Sequence, residues 1–505
     1  MQPEMRLQRG KVDRLRKADA EAGIGKGDKV SLLLENRPET IWLHFALAKI
    51  GALPVPINTA ARGDLLSYYV TNSDSTAMIV EAEHVRRYLE VRGACPLVKT
   101  EILLDSGIEL PDDPGRHVVP YDALLLNDAP PPVDVTFSDL VHIFYSSGTT
   151  GPSKGCMVAN ATLLSISANY VKYYEYTSED VLYTCLPLFH GNAFNCTLVP
   201  ALLSGARVVL SRRFSASRFW SDIRNYNVTA FTLLSAMTNI LWNRPPSKED
   251  RDHAARLCQI VPVPSFAREF EERYGVRIVS LYSLSDFGMG AIRGVDFPDE
   301  KWRSMGRVLP NVEVAIMDDD DFPVPNGQVG EICMRPLEPW VGRQGYYGRP
   351  DAWMAACRNL WFHSGDRGYM DDEGYLYFVD RKKDAIRRRG ENISAYEVEE
   401  ILLRHPAVAE VAAFPVPSEL SEDEVMISVV RKPGCVLEEM DLIEFSRKHM
   451  AYYMVPRFVE FVDELPKTMT QKIEKFKLRE SAAPRLSDIW DRERLGIVIK
   501  RSDVD

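Results

Sequence analysis

Residues 146–155 read Ser-Ser-Gly-Thr-Thr-Gly-Pro-Ser-Lys-Gly, a run of hydroxyls with three glycines and one lysine. Gly148, Gly151 and Gly155 let backbone N–H groups close on an anion. The hydroxyls of Ser146, Ser147, Thr149 and Thr150 add donors, and Lys154 adds a mobile positive charge. The chemistry this implies is phosphate binding. The P-loop pattern G-x-x-x-x-G-K-[ST] is not met, because Ser153 stands fifth after Gly148 and Gly155 follows the lysine. A kinase or P-loop NTPase is therefore disfavoured. Most Ser/Thr/Gly clusters are plain surface loops. This one follows an apolar run, Leu140 to Tyr145, and precedes a predicted helix over 161–174.

Further stretches carry groups suited to the same chemistry. Residues 281–286, Leu-Tyr-Ser-Leu-Ser-Asp, end a predicted strand over 276–282, where a doubly wound sheet presents ligand residues. Hydroxyl and carboxylate there suit a magnesium ion. In Trp361-Phe-His-Ser-Gly-Asp366 the final carboxylate can accept both hydroxyls of a ribose. His190 lies in Leu186-Pro-Leu-Phe-His-Gly-Asn-Ala193, a basic cluster spans 380–389, and two lysines flank 468–471. Taken singly, such a histidine is usually packed, such an aspartate caps a turn, and such a charge run is a solvated face.

In this order and spacing the stretches resemble the core motifs of the adenylate-forming superfamily: acyl-CoA synthetases, peptide-synthetase adenylation domains and luciferases. The resemblance runs from 142 to 473 and is nearest to AMP-dependent acyl-CoA ligases of the carnitine/crotonobetaine type. It implies that loop 146–155 binds the phosphates of ATP and that His190 borders the acyl pocket and the phosphate side of the site. Tyr282 would stack near adenine, with Ser283 beside it, Ser285 would contact the α-phosphate, and Asp286 would hold Mg²⁺. The family pattern here is Tyr-Gly-x-Thr-Glu, so Ser283, Ser285 and Asp286 are departures, as is Val261-Pro-Val-Pro264 upstream. Asp366 would bind the ribose, Arg381 the ribose or phosphates, and Lys383 would be the hinge of the C-terminal module. The loop Gly390-Glu391-Asn392 would line the pantetheine channel of coenzyme A. Lys472, in Pro466-Lys-Thr-Met-Thr-Gln-Lys-Ile473, would reach the carboxylate and α-phosphate, with Gln471 replacing the usual glycine.

The implied reaction joins a carboxylate to ATP as acyl-AMP with release of pyrophosphate, then passes the acyl group to the thiol of coenzyme A. Three rivals stay open. A carrier protein's phosphopantetheine could replace free coenzyme A, an oxygenase of the luciferase type shares the logic, and the departures would also suit a catalytically impaired binding homologue. Phe189, Asn192, Phe194, Met237 and Met289 are candidates for an apolar pocket taking a hydrophobic or bulky monocarboxylate.

The elements that must position these groups follow from pattern. Short β-rich runs alternate with helical stretches through the first half, as in βαβ units around parallel sheets. From Val312 closely spaced strands and turns indicate a small β-rich unit. Beyond Asp380 a capping box at Ser394–Glu397 opens an α+β module. The expected architecture is α/β. An N-terminal domain of doubly wound sheets plus the β-rich unit fills 1–380, with a hinge at 381–383. A mobile α+β domain fills 384–483, and a charge-rich tail 484–505.

The 505 residues, 45% hydrophobic and 26% charged, suit a globular protein of several cores. A net charge of −11 argues against sequence-independent nucleic-acid binding, though not against a nucleotide substrate. No apolar run is long enough to span a bilayer and no signal-peptide pattern opens the chain, so a cytoplasmic location without integral membrane association is expected. Whether the chain forms a homodimer stays open. The eight cysteines show no C-x-x-C pair or Cys/His ligand spacing, which suits reduced, mostly buried thiols.

Overall fold

The computed structural model describes residues 4–5, 23–105, 107, 110–124, 133–146, 153–381, 386–388, 391–417, 423–468 and 472–499. The chain forms two compact units. The first comprises 1–148, 152–313 and 334–362, and the second 149–151, 314–333 and 363–505.

The first unit holds two parallel sheets. One is ordered Leu53–Pro56, Lys29–Leu33, Ala77–Glu81, Thr100–Leu104, His117–Pro120. Its strands are apolar on both faces, as a sheet covered on both sides requires. Val30, Leu32 and Ile79 pack with Leu43 and Leu47 of helix Pro38–Lys49, while Leu33, Met78 and Val80 turn to Leu66, Val70 and Tyr88. The second sheet runs Arg207–Leu210, Val181–Thr184, Ala230–Leu234, Leu257–Val261, Arg277–Leu284, all parallel. It continues antiparallel through Gly288–Arg293 and Gly306–Val308. Gly306 is obligatory, since a Cβ there would lie 2.1 Å from the Ile292 carbonyl carbon.

Strand Leu140–Tyr145 does not lead directly from loop to helix. It pairs antiparallel with Gly155–Ala159, and helix Asn160–Tyr174 follows that second strand. The two strands that flank the phosphate-type run are thus the arms of a hairpin. Ile143 packs with Leu53 and Val55, whereas Phe144 and Val158 join the core of the second sheet. The hairpin is clamped by both cores.

In the second unit, residues 366–370 of strand Trp361–Met370 pair antiparallel with Tyr375–Arg381, which places Asp366 opposite Arg381. A four-stranded sheet follows, ordered Val408–Pro417, Asp423–Arg431, Phe458–Phe461, Trp490–Asp491. Period-two alternation divides its two cores. Ala413, Ile427 and Val459 meet Val398, Leu402 and Leu442 on one face; Phe414, Met426 and Phe458 meet Leu478 and Ala482 on the other. Ser394 caps helix Ala395–Leu402 by accepting the Glu397 N–H. Buried Asp380 accepts the N–H of Ala395 as well.

The segment from 484, expected as a tail, enters this sheet through Trp490–Asp491. Asp491 is 3% exposed and takes a paired grip from Arg457, and Arg492 is 1% exposed with its Nε donating to Pro456 O. Charges that read as solvated in sequence are here neutralised internally.

Candidate active site

The hairpin tip is closed by Ser146 N–H donating to Lys154 O at 2.9 Å. A Cβ at Gly155 would come within 2.9 Å of Ile143 Cγ2, so only glycine lets the returning strand lie this close. Tyr68 Oη donates to Ser153 O at 2.8 Å and Tyr145 Oη donates to Asn72 Oδ1 at 2.9 Å, which ties the loop's foot to helix Gly63–Asn72. Ser147, Gly148, Thr149, Thr150 and Gly151 lie outside the described residues.

Segment 343–347 runs alongside Gly155–Ala159. Met157 N–H donates to Gly345 O, Gln344 N–H to Met157 O, and Tyr347 N–H to Gly155 O. This carries Tyr346 to the foot of the loop. Lys154 Nζ donates to Tyr346 Oη at 3.4 Å and lies 4.4 Å from its ring centroid. Tyr346 Oη in turn donates to Asp286 Oδ2 at 2.6 Å, and Lys154 Nζ is 3.9 Å from the same oxygen. The other oxygen, Oδ1, accepts Cys156 Sγ–H at 3.4 Å. Burial, then the Asp286 charge, pushes both the Tyr346 hydroxyl and the Cys156 thiol well above their ordinary pKa values. Both therefore stay protonated and donate.

Asp286 and Ser285 sit just past strand Arg277–Leu284, whose pairing with Gly288–Arg293 is bulged at Tyr282/Ser283. Ser283 Oγ donates to Gly288 O at 3.0 Å, Tyr282 is buried, and Ser285 O accepts Arg343 Nε at 2.9 Å. Arg343 is 8% exposed, and burial lowers its pKa from the usual arginine value. His190 caps the short helix Gly191–Ala193 by accepting the Asn192 N–H on Nδ1. A Cβ on Gly191 would contact the Phe144 ring at 3.7 Å, so this turn rests on the hairpin strand.

Phe194, Met237 and Met289, expected around an apolar pocket, are buried in the core of the second sheet. Phe194 packs on His44 in a tilted contact with centroids 4.0 Å apart, and His44 meets His142 edge-on at 5.3 Å.

Asp366 and Arg381 meet in the second unit, with Arg381 Nε 3.4 Å from Asp366 Oδ1. Asp366 is 4% exposed, and its N–H donates to Ser364 Oγ. Lys472 is exposed on the returning arm of a small hairpin, where its N–H donates to Thr468 Oγ1 and Thr468 N–H donates to Lys472 O. Lys383 and Gly390 lie outside the described residues. Glu391 and Asn392 are described as backbone only, paired with Ile386–Arg388. The structure thus gathers Lys154, Ser285 and Asp286 in one unit, and Asp366 with Arg381 in the other.

Sequence reading missed Tyr346 and Arg343, which segment 343–347 brings beside residues 285–286, and Cys156, which strand Gly155–Ala159 brings to Asp286 from 130 positions away. It also expected no Cys/His ligand grouping, yet Glu331, Cys333 and His363 are buried with one ligand atom from each within 4.8 Å of the others. They come from strands Gly330–Pro336 and Trp361–Met370, so no local spacing announces them.

Parallel sheets carrying a Ser/Gly/Lys hairpin and a strand-end carboxylate define an adenylate-forming type of fold. Family models describing AMP-binding enzymes match residues 11–347, and their C-terminal domain matches 397–472. The chain belongs to the AMP-binding enzyme family. It is 32% identical to the crotonobetaine/carnitine–CoA ligases of Salmonella heidelberg and Salmonella typhimurium, over 90% of this chain and 89% of theirs. Among solved structures, the anthranilate CoA ligase AuaEII in complex with anthranoyl-AMP superposes with a TM-score of 0.84 at 23% identity, covering 95% of this chain and 92% of that one. The amide bond synthetase McbA from Marinactinospora thermotolerans gives 0.80 at 25%, covering 94% and 93%. No described helix is long and apolar enough to cross a membrane.

Proposed function

We propose that this protein is an AMP-forming carboxylate–CoA ligase. The observation that carries the reading is the 32% identity to CoA ligases along 90% of the chain, across both family segments. A carboxylate resists attack because its charge repels nucleophiles and oxide is a poor leaving group. Its attack on the α-phosphate of ATP releases pyrophosphate and exchanges that leaving group for AMP. The thiol of coenzyme A then displaces AMP to give the thioester.

Negative charge accumulates at the α-phosphate, and the protein's task is to meet it. Lys154 lies at the foot of the hydroxyl-rich loop, with Tyr346 and Asp286 fixing its ammonium. Lys472 supplies the second ammonium in this reading. Asp366 and Arg381 hold the ribose end. Lys383 is the hinge that lets the C-terminal segment serve both half-reactions, and Gly390, Glu391 and Asn392 line the path of the pantetheine arm.

Asp286 fits a magnesium ion. Its carboxylate has about four lone-pair sites, of which Tyr346 and Cys156 use one on each oxygen, and its side chain is 25% exposed. Magnesium is commonly held by one or two carboxylates together with substrate phosphates. Bound there, it would neutralise phosphate charge.

The acid we favour is a hydrophobic or bulky monocarboxylate, on the apolar character of Phe189 beside His190; Phe194, Met237 and Met289 are packed in the core and do not carry this reading. Thioester formation with ATP and free coenzyme A, measured over aliphatic, aromatic and polycyclic acids with carnitine included, tests both parts. No thioester with any acid, while acyl-AMP forms, would move the acceptor to a carrier protein or an amine.

A further inference from the structure

Asp366 has the ribose-binding role only if its carboxylate is held at a fixed height above the strand, and the chain there is unusual. Gly365 interrupts strand Trp361–Met370 with φ of +71°, a conformation that turns its N–H out of the regular ladder. That N–H donates instead to Oε1 of Glu331, at 3.0 Å. The second oxygen, Oε2, is 3.3 Å from His363 Nδ1, and His363 Nε2 is 3.8 Å from Asp321 Oδ1. Glu331 is 7% exposed and His363 9%. A buried carboxylate that accepts a peptide N–H turned out of the ladder, and is itself contacted by an imidazole, is an arrangement that fixes a turn.

Cys333 Sγ also lies 3.4 Å from His363 Nδ1, so the same trio has metal-ligand chemistry. Only three donors converge among the described residues, however, and a closed structural zinc site uses four. Glu331 Oε1 is already committed to the peptide.

We infer that Glu331 is a positioning residue for nucleotide recognition, acting through the Gly365 peptide to set the Asp366 carboxylate for the ribose hydroxyls. This rests on the ribose reading of Asp366 given above. His363 keeps the Glu331 carboxylate in the orientation that serves Gly365.

The test compares ATP with 2′-deoxy-ATP in carboxylate-dependent pyrophosphate release by the full-length protein. Wild type is expected to favour ATP by roughly tenfold or more in kcat/KM, because a buried carboxylate loses its partner in the deoxy substrate. Glu331→Met keeps the side chain's length without an acceptor. It should raise the KM for ATP about tenfold, cut the discrimination to within about threefold, and leave kcat at saturating ATP and the KM for the acid near wild type. Glu331→Gln retains an oxygen for Gly365 N–H and should restore most of the discrimination, and Cys333→Ala should leave it unchanged. If Asp366→Asn keeps full discrimination, the ribose reading fails and this inference with it. If Asp366→Asn abolishes discrimination while Glu331→Met, or Glu331→Ala should the methionine variant not fold, preserves it, the inference alone is overturned. One equivalent of zinc in the purified protein that is lost in Cys333→Ala would also overturn it.

Discussion

Tyr346 Oη and Asp286 Oδ2 are 2.6 Å apart, joined by a hydrogen bond in which the phenol donates and Lys154 Nζ donates to the phenol in turn. An ammonium, a hydroxyl and a carboxylate thus form one chain at the foot of the loop. The carboxylate is oriented before any substrate arrives.

Removing the phenol should loosen that orientation. Tyr346→Phe is expected to lower kcat/KM for ATP about tenfold, as loss of a hydrogen bond to a charged group does. Asp286→Asn should cost more, on the order of a hundredfold, and raise the magnesium concentration giving half-maximal rate. A Tyr346→Phe enzyme indistinguishable from wild type in steady-state kinetics would remove Tyr346 from the site.

Two buried histidines make stability depend on pH. His44 and His142 are 1% and 0% exposed, and among the described residues neither His44 Nε2 nor either nitrogen of His142 has a hydrogen-bond partner. Burial brings His44 down to about 3, and burial, the neighbouring His44 and Arg343 hold His142 well below the usual range. Both folded values are depressed. Below the unfolded value near 6.5 the unfolded chain takes up protons that the folded chain refuses. The contribution of each histidine to stability is therefore flat above about pH 6.5 and falls by roughly 1.4 kcal/mol per unit below it. Glu399, raised to about 7 by burial, works in the opposite sense over the same range, so urea unfolding at pH 7.5, 6.5 and 5.5 is compared between wild type and His142→Phe, whose loss of stability on acidification should be smaller by about 1.4 kcal/mol per unit.

The buried pair in the second unit predicts a larger effect at one pH. Arg457 donates from Nε and Nη2 to Asp491. Asp491→Ala strands that guanidinium beside the more distant Glu424 and Glu493, and should cost about 3 kcal/mol in urea unfolding at pH 7. A change under 1 kcal/mol would mean that 484–499 behaves as the tail its composition suggests.

Sheets, helix caps and the order of motifs were readable in the sequence because each depends on residues a few positions apart. The Ser394 cap needed no tertiary knowledge, whereas the division of the all-apolar run 411–416 between two cores shows only in the structure. Tyr346 was invisible because its partner Asp286 lies 60 positions earlier, and only segment 343–347 running alongside Gly155–Ala159 unites them. Glu331 and His363 were hidden for the same reason. Asp366 was singled out in Ser-Gly-Asp, whereas the contact of Glu331 with the neighbouring Gly365 N–H comes from another strand. The charge-rich stretch from 484 was expected as a tail, yet Asp491 and Arg492 are buried against Arg457 and Pro456 O, partners 34 and 36 positions earlier.

The central claim is that Lys472 and the loop bearing Lys154 together activate a carboxylate as acyl-AMP. Exchange of labelled pyrophosphate into ATP, dependent on an accepted acid, tests it most directly. Wild type should exchange, and Lys472→Ala should lose about 10²–10³-fold while still converting supplied acyl-AMP and coenzyme A to thioester. Exchange undiminished in Lys472→Ala, or absent from wild type with every acid that supports thioester formation, would contradict the account.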